Sequence, residues 1–89
     1  MKTYRIDKVV MNNEHVDISL RKFNIIIPNN LLLYISNIGN LHTGKRIRLE
    51  FIKGEINPMW GTSDIENIYI EESMGEYAPL YKREIFEGL

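Results

Sequence analysis

The residues best suited to chemistry are basic and lie near the middle of the chain. Lys45, Arg46 and Arg48 form the densest basic cluster, and Lys53 extends it. Arg46 and Arg48 are two positions apart, so a β-strand presents both side chains on one face. Binding of a single nucleic-acid strand needs phosphate contacts and also exposed aromatic rings on which bases stack. Because Phe51 falls on the opposite, apolar face, these four basic residues are only an alternative, nucleic-acid-binding site.

A second candidate site combines aromatic and acidic residues of the C-terminal half. Trp60 follows Met59 in a loop bounded by proline and glycine. Tryptophan is enriched at binding hot spots, and methionine adapts to irregular surfaces. The pattern predicts a protein-binding surface made of Met59, Trp60, Asp64, Glu66, Glu71, Glu72, Tyr77 and Tyr81. The competing interpretation is that these aromatic side chains close the core of a small domain.

The patterns that resemble catalytic or metal sites are incomplete. Residues 39–46 nearly match the phosphate-binding loop G-x-x-x-x-G-K-S/T, but Arg46 replaces the hydroxyl residue, and a strand rather than a helix is predicted to follow. His15 and Asp17 lie at strand spacing but supply only two ligands, where a metal site needs three or four. No serine lies in a recognisable nucleophile elbow. We therefore expect no enzymatic activity, metal or cofactor.

Charge is distributed unevenly along the sequence. Residues 1–54 contain nine Lys/Arg and four Asp/Glu, a net charge of +5. Residues 55–89 contain two Lys/Arg and eight Asp/Glu, a net charge of −6. Such a split steers a charged partner to one face of a domain, provided that the two halves are also separated in space. Neighbouring basic and acidic strands would weaken the argument.

Length and composition indicate one domain over residues 1–89. The chain has 44% hydrophobic and 26% charged residues, which is near the globular average. It has no cysteine, which excludes disulfides and thiol nucleophiles. No apolar run approaches the length of a membrane span, and no secretory signal is visible. We expect a cytoplasmic protein that makes no membrane contact.

Alternating hydrophobicity predicts most of the chain to be strand. Residues 3–11 and 15–27 read as a hairpin whose turn is Asn12-Asn13-Glu14. The apolar alternation of the second segment changes phase near Arg21-Lys22, which predicts a bulge there or, alternatively, two separate strands. Further strands are expected over residues 45–53 and 65–71, followed by a break at Ser73-Met74-Gly75.

Two segments favour helix. Apolar residues at helical spacing after Pro28 predict a short helix over residues 30–38, with Asn29 or Asn30 as its cap. Residues 79–86 fit either a helix that begins at Pro79 or a strand, and we favour the helix. The predicted fold class is α+β, a mainly antiparallel sheet of four to five strands with one short helix packed on it.

These observations lead to three functional hypotheses. The first is a small non-catalytic protein-binding module, a regulator or inhibitor that occupies a partner surface in the manner of small phage proteins, a comparison of size alone. Its partner is a larger protein with a basic or mixed-charge groove, which the acidic half meets. The alternatives are a nucleic-acid-binding accessory protein and a self-associating subunit whose opposite charges attract.

Overall fold

The computed structural model describes residues 2–32, 39–52 and 65–84. These residues form seven β-strands: β1 (Lys2–Arg5), β2 (Lys8–Met11), β3 (His15–Ser19), β4 (Asn24–Pro28), β5 (Arg46–Phe51), β6 (Ile65–Ser73) and β7 (Glu76–Lys82). Sheet A is antiparallel with the order β1-β5-β6-β7, and sheet B is antiparallel with the order β2-β3-β4. The fold is therefore more all-β than the expected α+β, with no helix of seven or more residues in the described ranges.

The first predicted strand is divided between the two sheets. β1 pairs with β5 in sheet A, whereas β2 pairs with β3 in sheet B. The chain crosses at Ile6, which is fully buried, and its backbone N–H donates to the carbonyl of Lys45 at 2.9 Å. The next N–H, of Asp7, donates to Ser19 in sheet B at 2.9 Å. One segment of continuous alternation thus contributes an edge strand to each sheet.

The second predicted strand is a hairpin rather than one bulged strand. Leu20 donates its backbone N–H to the carbonyl of Phe23 at 2.9 Å, which closes a tight turn between β3 and β4. The phase change near Arg21-Lys22 therefore marks a turn: the expected bulge is wrong, and the alternative of two separate strands is confirmed. Reversal of the chain places both apolar sets on the same face, since Val16 lies opposite Ile27.

The short helix predicted over residues 30–38 does not continue through its first turn. A single 3-10 turn spans Asn29–Leu31, and Leu32 is extended and buried. Asn29 is the first residue of this turn and not its cap, a position that Pro28 occupies, and the side-chain amide of Asn29 donates to the carbonyl of Asn12 at 3.0 Å. The remainder of this prediction, residues 33–38, lies outside the described residues.

The C-terminal helix favoured from Pro79 is wrong over residues 79–82, because these residues continue β7. Pro79 is tolerated there since β7 is an edge strand, where a missing N–H removes no essential ladder bond. The pairing register also shifts between Ile68 and Tyr69, so that Leu80 and Tyr81 are both buried. This double burial disguises the strand alternation in the sequence. Only Arg83 and Glu84 are helical before the described residues end.

One hydrophobic core joins the two sheets. Each sheet buries alternate side chains of its inner face, including Ile18 and Ile25 in sheet B and Ile47, Ile68 and Ile70 in sheet A, all fully buried. These side chains belong to a single contiguous cluster. Burial of a side chain of this size contributes about 1.5–3 kcal/mol. The side chains of the inner faces thus stabilise the fold, and only those of the outer faces are accessible to a partner.

Candidate functional site

The outer face of sheet A collects basic and aromatic side chains from all four of its strands. Strand pairing places Thr3 opposite Arg48, Arg48 opposite Tyr69, and Tyr69 opposite Pro79. Residues directly opposite in antiparallel strands share a face, and side chains on alternate positions of each strand do so too. The surface formed by Arg5, Arg46, Arg48, Tyr69, Tyr77 and Lys82 is called the Arg–Tyr face below.

Two cation–π contacts organise this face. The Arg48 guanidinium carbon lies 3.9 Å from the centroid of the Tyr77 ring, although β6 separates the two strands. The Lys82 ammonium nitrogen lies 5.6 Å from the centroid of the Tyr69 ring. Contacts of this kind contribute about 0.5–1 kcal/mol at exposed sites. They hold long side chains in place, so that a partner meets a partly ordered surface.

Acidic side chains interrupt the positive charge of the Arg–Tyr face. Glu71 accepts a hydrogen bond from the backbone N–H of Arg46 at 3.3 Å. Glu50 accepts one from the side-chain amide of Asn67. Both carboxylates are half-buried beside the exposed Arg46 and Arg48. The face is therefore mixed in charge with a basic excess.

The charge split of the sequence is not a split in space. The basic strand β5 and the acidic strand β6 are hydrogen-bonded neighbours in sheet A. Contacts join the two halves at several points: Lys45 donates to the carbonyl of Glu72 at 3.5 Å, and the backbone N–H of Arg46 donates to Glu71 at 3.3 Å. Opposite charges that pair within one sheet do not steer a partner to opposite poles.

The predicted protein-binding residues fall into four groups. Tyr77 lies on the Arg–Tyr face, with Glu71 opposite it. Tyr81 packs in the core with 3% of its surface exposed, so its ring is closed to a partner. Glu72 is exposed near the end of β6, and Glu66 is half-buried in the same strand. Met59, Trp60 and Asp64 lie outside the described residues.

The alternative nucleic-acid-binding residues are partly brought together. Arg46 and Arg48 share the Arg–Tyr face as their spacing predicted, and Lys45 precedes them half-buried. Lys53 lies outside the described residues. Phe51 is in the core, as expected, with 9% exposure. The aromatic rings on the basic face come instead from β6 and β7.

Sequence reasoning missed Tyr69 and Arg5 as site residues. Tyr69 stands between Ile68 and Ile70, which are both fully buried, so simple alternation directs Tyr69 outward. Arg5 stands in the same way beside the fully buried Ile6. The signal was present, but only the strand order of sheet A shows that these two residues share a face with Arg48.

The remaining candidates for chemistry do not form a site. His15 and Asp17 lie on the outer face of sheet B, where the His15 ring contacts the Asn12 amide at 3.4 Å. Within residues 2–32, 39–52 and 65–84 there is no group of three side chains able to hold a metal ion. The loop that resembles a phosphate-binding loop leads into β5 and not into a helix. The same described ranges contain no helix long and apolar enough to cross a membrane.

Comparisons with known proteins bring no relative: no family model matches the chain, and no curated protein or solved structure is similar to it.

Proposed function

We propose that this chain is a small non-catalytic binding module, a regulator or inhibitor that covers part of a larger protein with its Arg–Tyr face. The observation that carries the proposal is the cation–π contact of Arg48 and Tyr77 at 3.9 Å on the outside of sheet A. Arginine and tyrosine are enriched at protein interfaces and at their hot spots. Nothing in the fold requires them there, since the inner face of the same sheet supplies its core.

The partner best suited to this face has a mixed-charge groove with acidic side chains. The exposed Arg46 and Arg48 would pair with carboxylates of the partner. Glu50 and Glu71 would pair with a cation or a hydrogen-bond donor of the partner. This revises the expectation that an acidic half meets a basic groove, because the two halves share one sheet. The proposed module acts in the cytoplasm.

Binding of a single-stranded nucleic acid is the second candidate function. Tyr69 and Tyr77 add aromatic rings to a basic face, the stacking partner that the sequence had seemed to lack. Two features favour a protein instead. Arg48 and Lys82 lie over those rings, so a base must displace them before it stacks. The carboxylates of Glu50 and Glu71 repel a phosphate backbone.

Face-selective capture tests the proposal. Immobilised wild type, Arg48→Ala, Tyr77→Ala and the control Arg21→Ala are each exposed to lysate of the source cells, with and without nuclease. Arg21 is exposed in the turn between β3 and β4, so its substitution removes the same charge from sheet B. We expect a protein that wild type and Arg21→Ala retain, that both sheet A variants lose, and that survives nuclease.

Two other results would contradict the proposal. Recovery of nucleic acid that nuclease removes and salt releases steeply would support the second candidate. Equal recovery by all four proteins would show that the Arg–Tyr face is not the binding surface. Sedimentation of wild type across a salt series separately tests the self-associating subunit, which a monomer at every concentration would exclude.

A further inference from the structure

Two arginines stand directly opposite each other on the Arg–Tyr face. Arg5 of β1 is the cross-strand partner of Arg46 of β5, and both side chains are exposed. Side chains at such positions have β-carbons about 4.5–5.5 Å apart, and like charges there destabilise the sheet. Arg48 lies two residues further along β5 on the same face. The sheet thus carries three guanidinium groups where pairing favours opposite charges.

Neighbouring groups leave this repulsion largely in place. The Glu71 carboxylate accepts the backbone N–H of Arg46, and the Glu50 carboxylate accepts the side-chain amide of Asn67. Arg48 is directed towards the Tyr77 ring. Arg5 lies over the turn before β5, where one of its terminal nitrogens would be 3.8 Å from a β-carbon added to Gly44. Among the described residues of this face, three arginines therefore outnumber two carboxylates, each of which already accepts a hydrogen bond.

We infer that Arg5 and Arg46 form an oxyanion-binding site that takes a carboxylate group of the partner protein. The inference rests on the surface used in the proposed function and names the group that it recognises. A guanidinium presents a rigid fork of N–H donors that matches the oxygens of a carboxylate, as it does those of inorganic phosphate, and these charge-assisted bonds are strong. An anion between the two arginines also turns their repulsion into attraction. The site is thus destabilising when empty and stabilising when filled.

Thermal unfolding with inorganic phosphate as the probe tests this reversal of sign. At low ionic strength and without phosphate, Arg46→Gln is expected to raise the Tm by about 1–4 °C, because it removes a like-charge pair. Phosphate is expected to raise the Tm of wild type but not that of Arg46→Gln or Arg5→Gln. Sodium chloride at equal ionic strength controls for screening.

The matched control is Arg21→Gln, which removes one positive charge from the turn of sheet B. It is expected to keep the full response to phosphate. A lower Tm for Arg46→Gln without phosphate, or an equal phosphate response in wild type and both sheet A variants, would overturn the inference.

The source of the oxyanion is distinguished by titrating labelled protein with hexaglutamate and with an oligothymidylate. Side-chain NMR signals of Arg5 and Arg46 that shift with hexaglutamate in wild type, with about tenfold weaker binding in Arg46→Gln, would identify a carboxylate. The same result with oligothymidylate alone would identify a phosphate and overturn the inference of a carboxylate. Shifts with neither probe would overturn the inference.

Failure of the inference and failure of the proposed function are separable. If phosphate and both oligomers leave Arg5 and Arg46 unaffected while Tyr77→Ala still abolishes capture of the protein partner, the face binds without an oxyanion site. If the oxyanion tests succeed while capture is equal for all variants, the site exists and the proposed partner surface is wrong.

Discussion

Sheets A and B bury their inner faces by the same alternation but differ on their outer faces. In sheet A the outward positions hold arginine, tyrosine and half-buried glutamate, held together by cation–π contacts and by hydrogen bonds to carboxylates. In sheet B the outward positions of the three strands hold residues such as Val10, Asp17 and Ile26. Among the described residues, the basic and aromatic side chains that suit a partner therefore gather on sheet A.

The outer face of sheet B is also more closed. Ile26 and its neighbour Asp17 are half-buried, and one carboxylate oxygen of Asp17 is buried without a hydrogen-bond partner among the described residues. Val10, at the edge of the sheet, is 45% exposed. The outer face of sheet B mixes polar residues such as Lys8 and Asp17 with the apolar Val10 and Ile26, and lacks the grouped arginine and tyrosine side chains of sheet A. The two sheets therefore bury their inner faces alike and differ in the types of side chain on their outer faces.

The largest expected effect tests what the sheets share. Ile18→Ala in sheet B and Ile47→Ala in sheet A should each reduce the free energy of unfolding by about 2–5 kcal/mol, since both side chains are fully buried in one cluster. Denaturant unfolding followed by both fluorescence and circular dichroism measures this. Each variant should unfold in a single transition. Two transitions would show that the sheets are independent units.

The next effect separates the outer faces. Tyr77→Ala should weaken partner binding by about 2 kcal/mol, which is about thirtyfold in Kd, because it removes the ring and the support of Arg48. Val10→Ala, on the outer face of sheet B, should leave the affinity unchanged. Titration calorimetry with the captured partner measures both. Equal losses of affinity in the two variants would show that binding does not depend on the outer face of sheet A in particular.

Two of the hairpin turns should respond to different substitutions. The turn between β2 and β3 depends on Asn12, whose side-chain oxygen accepts the backbone N–H of Glu14 at 2.8 Å and of His15 at 2.9 Å. The turn between β6 and β7 depends on Gly75, whose φ of +80° disfavours a side chain. Asn12→Ala and Gly75→Ala should each cost about 1 kcal/mol of stability. Asn12→Asp keeps the acceptor and should recover most of the loss.

The smallest effect concerns Tyr4, the ring of sheet A that reaches sheet B. Its ring meets that of Phe23 edge-on, with centroids 5.3 Å apart. Burial raises the pKa of Tyr4 above its ordinary value of 10.0. A raised pKa in the folded state gives a contribution to stability that is present below pH 10 and is lost as the pH rises through the folded pKa. Unfolding measured against pH should show a larger loss of stability above pH 10 in wild type than in Tyr4→Phe.

The inner faces were predictable from the sequence, but the partition into two sheets was not. Ile47, Leu49 and Phe51 alternate cleanly with charged residues, and all three lie in the core. The segments 3–11 and 15–27 also alternate, yet alternation does not show where a chain changes sheets or reverses. The change of sheet within residues 3–11 depends on the long-range pairing of β1 with β5, which a local sequence pattern does not contain.

The candidate site was predictable only in part for the same reason. The spacing of Arg46 and Arg48 placed them correctly on one face. Tyr77 was identified as a contact residue, but its position beside Arg48 depends on the strand order β5-β6-β7. Tyr81 was expected on the same surface but lies in the core, because the register shift in β7 directs two successive residues inward. Strand order and bulges are properties of pairing that no local window of sequence contains.

Charge reversal on each sheet tests the central claim most directly. The affinity of the captured partner is measured for wild type, Arg48→Glu and Arg21→Glu at one salt concentration, with circular dichroism as a check on folding. The account predicts that Arg48→Glu weakens binding by about thirtyfold or more while Arg21→Glu matches wild type. Equal affinities for Arg48→Glu and wild type, or an equal loss for both variants, would contradict binding through the Arg–Tyr face.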